Sequence, residues 1–214
     1  MKTAVVTGGT GALGRAVVEA FARAGYQVHL STARDASGHS GPGTAHRVDL
    51  RDATATRDWL RKLGPVHAAA LCAGGFAMQS LADLSPELYD AQLDINLRTA
   101  AYTVAGLVPV LADPSAIVLV GSQAYAGAAG KALYAASKAG VVSLARSAAE
   151  ELRPKGVRVN AVLPDIIDSP ANRTAMPGAS FDSWAKPEEI ADVILYLCSD
   201  AARVVSGNAL AVGR

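Results

Sequence analysis

Cysteine is nearly missing from this chain: of 214 residues only Cys72 and Cys198 are thiols, each in an apolar segment. That excludes a disulfide framework and a cysteine-built metal site, and it fits a reducing cytoplasm. Charge is scarce too, at 18% of residues, with 20 basic against 19 acidic and no long basic run. Nucleic acid and anionic membrane are therefore poor partners for it. Long hydrophobic runs are also lacking. Uncharged stretches such as residues 115–130 are interrupted by Gly, Ser and Gln and fall short of the roughly 18 consecutive apolar residues of a membrane span. The opening MKTAVVTGG has too short an apolar run for a secretory leader, and no internal repeat is present. What the chain has in quantity is apolar residues, half of the total. That suits a single folded domain over 1–214 with a substantial core.

The apolar residues fall in short continuous runs separated by longer helix-like stretches. TAVVT (3–7), QVHLST (27–32), a run inside AHRVDL (45–50), VHAAALCAG (66–74), SAIVLVG (115–121), VRVNAVL (157–163) and NALAV (208–212) read as seven strands. Continuous rather than alternating apolar character is expected where both strand faces are covered. LGRAVVEAFARAG reads as a helix stopped by Gly25, and ATATRDWLRKL as one ended by Gly64-Pro65. Ser85-Pro86-Glu87 caps the start of a helix running to about Pro109. The stretch around Tyr134 and the segment after Pro187 supply further helices. This pattern predicts an α/β fold, a single-domain Rossmann-type doubly wound parallel sheet with helices on both faces. Residues 34–44, RDASGHSGPGT, leave no room for a regular helix between strands two and three. They read as a loop, either beside the adenosine end of a nucleotide or as a plain surface shortcut.

VTGGTGALGRAVV joins the first strand to the first helix. Gly8, Gly11 and Gly14 would let the backbone approach a pyrophosphate at the helix N-terminus, or would simply make a tight turn. Absent here is the acid that NAD-selective folds carry at the end of strand two to hold the ribose 2′-hydroxyl. Ser31, Thr32, Ala33 and Arg34 stand in its place. The planar donor fork of Arg34 suits a 2′-phosphate, which favours NADP(H) over NAD(H).

In YAASK, Tyr134 and Lys138 lie four residues apart within a helix-forming stretch, so both side chains share one helix face. A cation within reach favours the phenolate. By spacing alone the pair reads either as an acid–base device or as two ordinary surface residues.

The whole set of motifs resembles the short-chain dehydrogenase/reductase family over nearly the full chain. The matching features are TGGTGALG at 7–14, Asp49 after strand three, CAGG at 72–75, Asn96 in DINL, Ser122 closing strand five, Tyr134 with Lys138, and VRVNAVLPDIIDSP at 157–170. The resemblance implies that Tyr134 is the general acid in reduction and the base in oxidation. It also implies that Lys138 binds the nicotinamide ribose and favours the phenolate, that Ser122 holds the substrate oxygen, and that Asn96 holds a water leading to Lys138. Cofactor contacts implied with it are Gly8, Thr10, Gly11, Ala12, Leu13 and Gly14 in the loop, and Asp49 and Leu50 at the adenine. Ala73 and Gly74 after strand four, and Pro164, Ile167 and Ser169 at the nicotinamide amide, complete that set.

Three departures stand out. Ala12 occupies the family's middle glycine position, Leu71-Cys72-Ala73-Gly74 lacks both asparagines of the usual NNAG, and Asp165 follows Pro164 in place of glycine. GGTGALG, LCAGG and VLPDIIDSPANRTAMPGASFDSW are similar to a narrower branch, the dihydropteridine reductases. That branch generally uses NADH and lacks the serine, whereas this chain has Ser122 and no NAD-type acid. The reading is therefore a reductase or dehydrogenase acting on a carbonyl or alcohol of a small organic substrate, with a pteridine reductase as alternative and a non-catalytic nucleotide-binding regulator as a third. Residues 165–185, with Ile166, Ile167, Met176, Phe181 and Trp184, would form the substrate loop. Small residues on the Ser85–Pro109 and Tyr134 helices, among them Ala100, Ala101, Val104, Leu107, Ala132, Ala135, Ala136, Ala139, Val142, Ala145 and Ala149, imply a homodimer or homotetramer.

Overall fold

Strands β1 (Thr3–Thr7), β2 (Gln27–Thr32), β3 (Thr44–Arg47), β4 (Val66–Leu71), β5 (Leu111–Val120), β6 (Val157–Pro164) and β7 (Ala209–Val212) form one sheet. Their order is β3-β2-β1-β4-β5-β6-β7, and every pairing is parallel. The order reverses beside β1, so β1 and β4 diverge at their carboxyl ends and open the crevice in which such sheets bind ligands. The structure, a computed structural model, describes residues 1–33 and 35–213. Arg34 lies outside them, and with it the expected contact to a 2′-phosphate.

Helices cover both faces. On one side α1 (Ala12–Arg23) and α7 (Pro187–Cys198) pack together. Val17, Phe21, Ile190 and Ile194 meet Val6, Leu30 and Val118 there. On the other side lie α2 (Ala53–Arg61), α3 (Pro86–Leu93), α4 (Thr99–Leu107) and α5 (Ala132–Leu152). Trp59, Leu60, Leu107, Val141 and Leu152 bury Val5, Ile117, Leu119 and Val159 from that side. A short helix, α6 (Pro170–Ala175), lies in the expected substrate loop.

The elements differ from expectation in detail. The helix expected from Ser85 to about Pro109 is broken by a π turn at Asp94–Arg98. There Asn96 bonds away from the helix, to the backbone of Gly75. Strand β3 is shorter than its apolar run, because Val48 and Leu50 have already turned into the core. Residues 35–43 form no helix, as their composition predicts. Most small residues counted as spare on α4 and α5 serve this chain's own core: Ala100, Val104, Leu107, Ala135, Val142, Ala145 and Ala149 are buried.

One polar residue ties the sheet's far edge. Asn160, in the middle of β6 and 1% exposed, donates to Val205 O at 2.9 Å and accepts from Asn208 N–H at 3.1 Å. Those bonds position the segment that enters β7. We expect Asn160→Ala to cost about 1–3 kcal/mol, since it removes both hydrogen bonds of a buried amide. Urea unfolding monitored by circular dichroism checks this, and a loss under about 0.5 kcal/mol would show that water replaces the amide.

Candidate active site

The turn between β1 and α1 forms the floor of a long cleft of about 1500 Å³. Gly11 is the N-cap of α1 and brings no side chain to its first N–H groups. Gly11 and Ala12 line the cleft, so those donors and the helix dipole are available to an anion. The glycines divide the work. A Cβ on Gly14 would lie 2.1 Å from Gly8 O, and one on Gly8 (φ +64°) would lie 2.9 Å from Ala73 Cα. Both permit backbone to pack on backbone, while Gly11 borders the open space. Gly9, which the motif reading passed over, lets the turn lie on Leu30, whose Cβ is 2.5 Å from where a side chain would start. This bare-backbone cradle fits the pyrophosphate of a dinucleotide.

From the floor the cleft runs past Thr10, Ser31, Thr32, Ala33, Asp49 and Leu50 at one end and past Ala73, Gly74 and Ser169 at the other. Thr10 and Thr32 hydroxyls meet at 3.3 Å, and Ser31 Oγ accepts from the Gly8 N–H at 3.3 Å. Four guanidinium groups that the motif reading did not single out, Arg15, Arg47, Arg51 and Arg173, line the same cleft, the last of them paired with Asp168. Arg47 was hidden in sequence because only the register Thr32↔Arg47 brings β3 to the end of β2. Not every expected contact is a side-chain contact. Leu13 and Gly14 are buried in the α1 packing, Pro164 is buried at the end of β6, and Ile167 packs on the α7-side core. Asp49 is engaged with Arg51, which donates to both carboxylate oxygens at 2.9 Å and holds that carboxyl below its ordinary range. Ser169 Oγ caps α6 by accepting from Asn172 N–H at 3.2 Å.

Beyond Gly74 lie Ser122, Tyr134 and Lys138. The last two share a face of α5, and Lys138 Nζ stands 5.8 Å from the Tyr134 ring centre. The Ser122 side chain lies near the Tyr134 phenol, and its Oγ accepts from the Ala124 N–H at 3.2 Å. Lys138 is 6% exposed and donates to Val120 O at 2.9 Å. Among the described residues it has no carboxylate partner. Burial lowers its pKa from 10.5 to about 8. Burial also raises the Tyr134 pKa, and the nearby Ser122 offsets this only in part. Asn96 is likewise occupied. Its Oδ1 accepts from Gly75 N–H at 3.1 Å and its Nδ2 donates to Gly75 O and Gln92 O at 2.9 and 3.1 Å. A Cβ on Gly74 would lie 2.8 Å from Asn96 Oδ1 and 3.3 Å from Lys138 Nζ. The bare glycine is therefore what brings amide, ammonium and cleft together.

Comparisons with known proteins show what the chain is similar to. A family model described as enoyl-(acyl carrier protein) reductase matches residues 9–213. An acetoacetyl-CoA reductase of Synechocystis is 31% identical, over 99% of this chain and 94% of that protein. An L-xylulose reductase of Mus musculus is also 31% identical over the same shares. A solved short-chain dehydrogenase/reductase mutant of Serratia marcescens superposes with a TM-score of 0.88 at 26% identity, covering 99% of this chain and 96% of that one.

The buried ammonium has a measurable cost. An unfolded lysine keeps its proton to about pH 10.5, while Lys138 keeps it only to about 8. The unfolded chain therefore binds more protons across that window, so stability rises with pH through it. Below pH 8 the penalty is fully present, at about 3 kcal/mol. We expect Lys138→Met to raise the unfolding free energy at pH 7 by about 1–3 kcal/mol, with the gain shrinking toward pH 10.5. Urea melts at both ends of the window check this, and a variant less stable than wild type at pH 7 overturns it.

Proposed function

The chain belongs to the short-chain dehydrogenase/reductase family and is an oxidoreductase of that type acting on small molecules. From that premise we propose that it interconverts a carbonyl and an alcohol with NADP(H). The observation that carries the reading is Tyr134 with Ser122 close to its phenol, set one helical turn from the buried Lys138 beside the cleft. A bound nicotinamide dinucleotide supplies the hydride donor or acceptor and, when oxidised, a positively charged ring. Ser122 holds the substrate oxygen. Tyr134 gives that oxygen its proton in reduction and removes it in oxidation. Its raised pKa keeps the phenol protonated at neutral pH, the form a general acid needs. Lys138 faces the cleft wall at Gly74, where it holds the ribose and relays charge to the phenol. Asn96 keeps the Gly74–Gly75 backbone in place. A serine gripping oxygen favours carbonyl chemistry over the imine-like pterin.

The absence of an acid at the end of β2, together with Arg15, Arg47 and Arg51 in the cleft, supports NADP(H), with Arg34 as a further ligand of the 2′-phosphate. Half-exposed Ala101, Ala132 and Ala139, with exposed Ala136, support association through α4 and α5 into a homodimer or homotetramer. Loop 165–185 covers the substrate.

Tyr134→Phe should retain the fold and lower kcat by at least about 10²-fold, and Ser122→Ala by roughly 10²–10³-fold. Spectrophotometric NADPH oxidation with a panel of ketones measures both. A phenylalanine variant as active as wild type would show that the proton comes from elsewhere. For the cofactor, NADPH should bind at least about tenfold more tightly than NADH, and Arg34→Ala should narrow that gap, since a charge-assisted contact is worth roughly 1.5–3 kcal/mol. Titration of cofactor fluorescence checks this. Equal affinities in the wild-type protein would remove the assignment.

A further inference from the structure

Apolar side chains left in the open are concentrated in one place. Nine large hydrophobic residues are exposed, and five of them, Phe76, Met78, Leu81, Leu84 and Tyr89, fall between residues 76 and 89. The first of them abuts Tyr134. The Phe76 ring stands edge-on to it, with centroids 4.9 Å apart and planes at 88°. Met78 Cε lies 3.2 Å from where a Cβ on Gly130 would be, and the Gln79 N–H bonds Gly130 O at 3.0 Å. The loop after β4 is thereby fastened just ahead of α5, and Phe76 makes a wall beside the tyrosine that Met78 extends toward Gly130. Phe76 is still 53% exposed and Met78 66%, so the wall has apolar surface to spare.

At the edge of this wall sits a cation. Lys131 Nζ lies 5.5 Å from the centre of the Phe76 ring, three residues before Tyr134. Among the described residues it has no carboxylate partner. An apolar platform joined to the acid–base residue, with an unpaired ammonium at its far side, suits a molecule of matching polarity. Its carbonyl belongs at Ser122 and Tyr134, its hydrocarbon or aryl body on Phe76, and a negative group at Lys131.

We propose that the substrates are carbonyl compounds that carry a carboxylate or similar anion across an apolar spacer, and that Lys131 and Phe76 select them. This rests on the carbonyl-reductase reading of the same site. A matched pair of probes tests it: 4-acetylbenzoate and its neutral methyl ester, which share the aryl ketone and differ in charge. Binding of each to the NADP⁺-loaded protein is measured by calorimetry, and reduction of each is followed separately with NADPH. The acid should bind at least about tenfold more tightly than the ester, as one charge-assisted contact implies. Lys131→Met should bring the acid to the ester's affinity, and Phe76→Ala should weaken both. Thermal unfolding of the variants verifies that they are folded. Equal binding of acid and ester, a preference that survives Lys131→Met, or binding of neither probe overturns the proposal. Reduction of both probes without preference would refute the anion subsite and leave the carbonyl chemistry standing. Lys131-dependent binding of the acid with no turnover of either probe would support the subsite and refute the chemistry.

Discussion

The site depends on an ammonium buried without a counter-charge. Lys138 is removed from water, bonded to the carbonyl of Val120 and set against the bare backbone of Gly74. Such an arrangement disfavours its own charge, and a fold selected only for stability would fill the position with an apolar side chain. Retaining it makes sense where a polar group arriving in the cleft completes the lysine's bonds. The site is then built to be finished by its ligand.

The surrounding scaffold keeps that unfinished state in place. Val120 closes β5, so the acceptor of the ammonium is the end of a central strand, buried on both faces. Asn96 breaks the helix periodicity with a π turn and spends its amide on Gly75 and Gln92. It therefore supports the wall behind Gly74. The ring of Tyr134 lies between Phe76 and Lys138, which explains why burial, which raises its pKa, outweighs the influence of the nearby Ser122. Tyr134, Lys138 and Ser122 are assembled on one helix face and the end of one strand.

The opposite end of the cleft is organised by different means. Hydroxyls of Thr10, Ser31 and Thr32 line it with Arg15, Arg47 and the Asp49–Arg51 pair. The short connection between β2 and β3 brings β3 alongside β2, and with it Arg47 beside Thr32. The missing helix and the place of Arg47 are two results of one shortened segment.

Much of this was legible in the residues. Continuous apolar runs separated by helix-forming stretches determine a parallel sheet covered on both faces, because only that arrangement buries them all. The four-residue spacing of Tyr134 and Lys138 determines a shared helix face, and the glycines of 8–14 determine a tight turn with backbone exposed at a helix start. Local pattern could not decide what burial and register decide. Whether Lys138 is charged and whether Tyr134 is acidic depend on how much water the folded chain excludes. That Asn96 supports backbone, that Gly14 and Gly8 pack against carbonyl and Cα atoms, and that Arg47 reaches the cleft depend on elements far apart in sequence. Phe76 stands 58 residues before Tyr134, and it becomes a neighbour of Tyr134 and Lys131 only because β4 and β5 lie side by side and deliver their following loops to the same edge of the sheet.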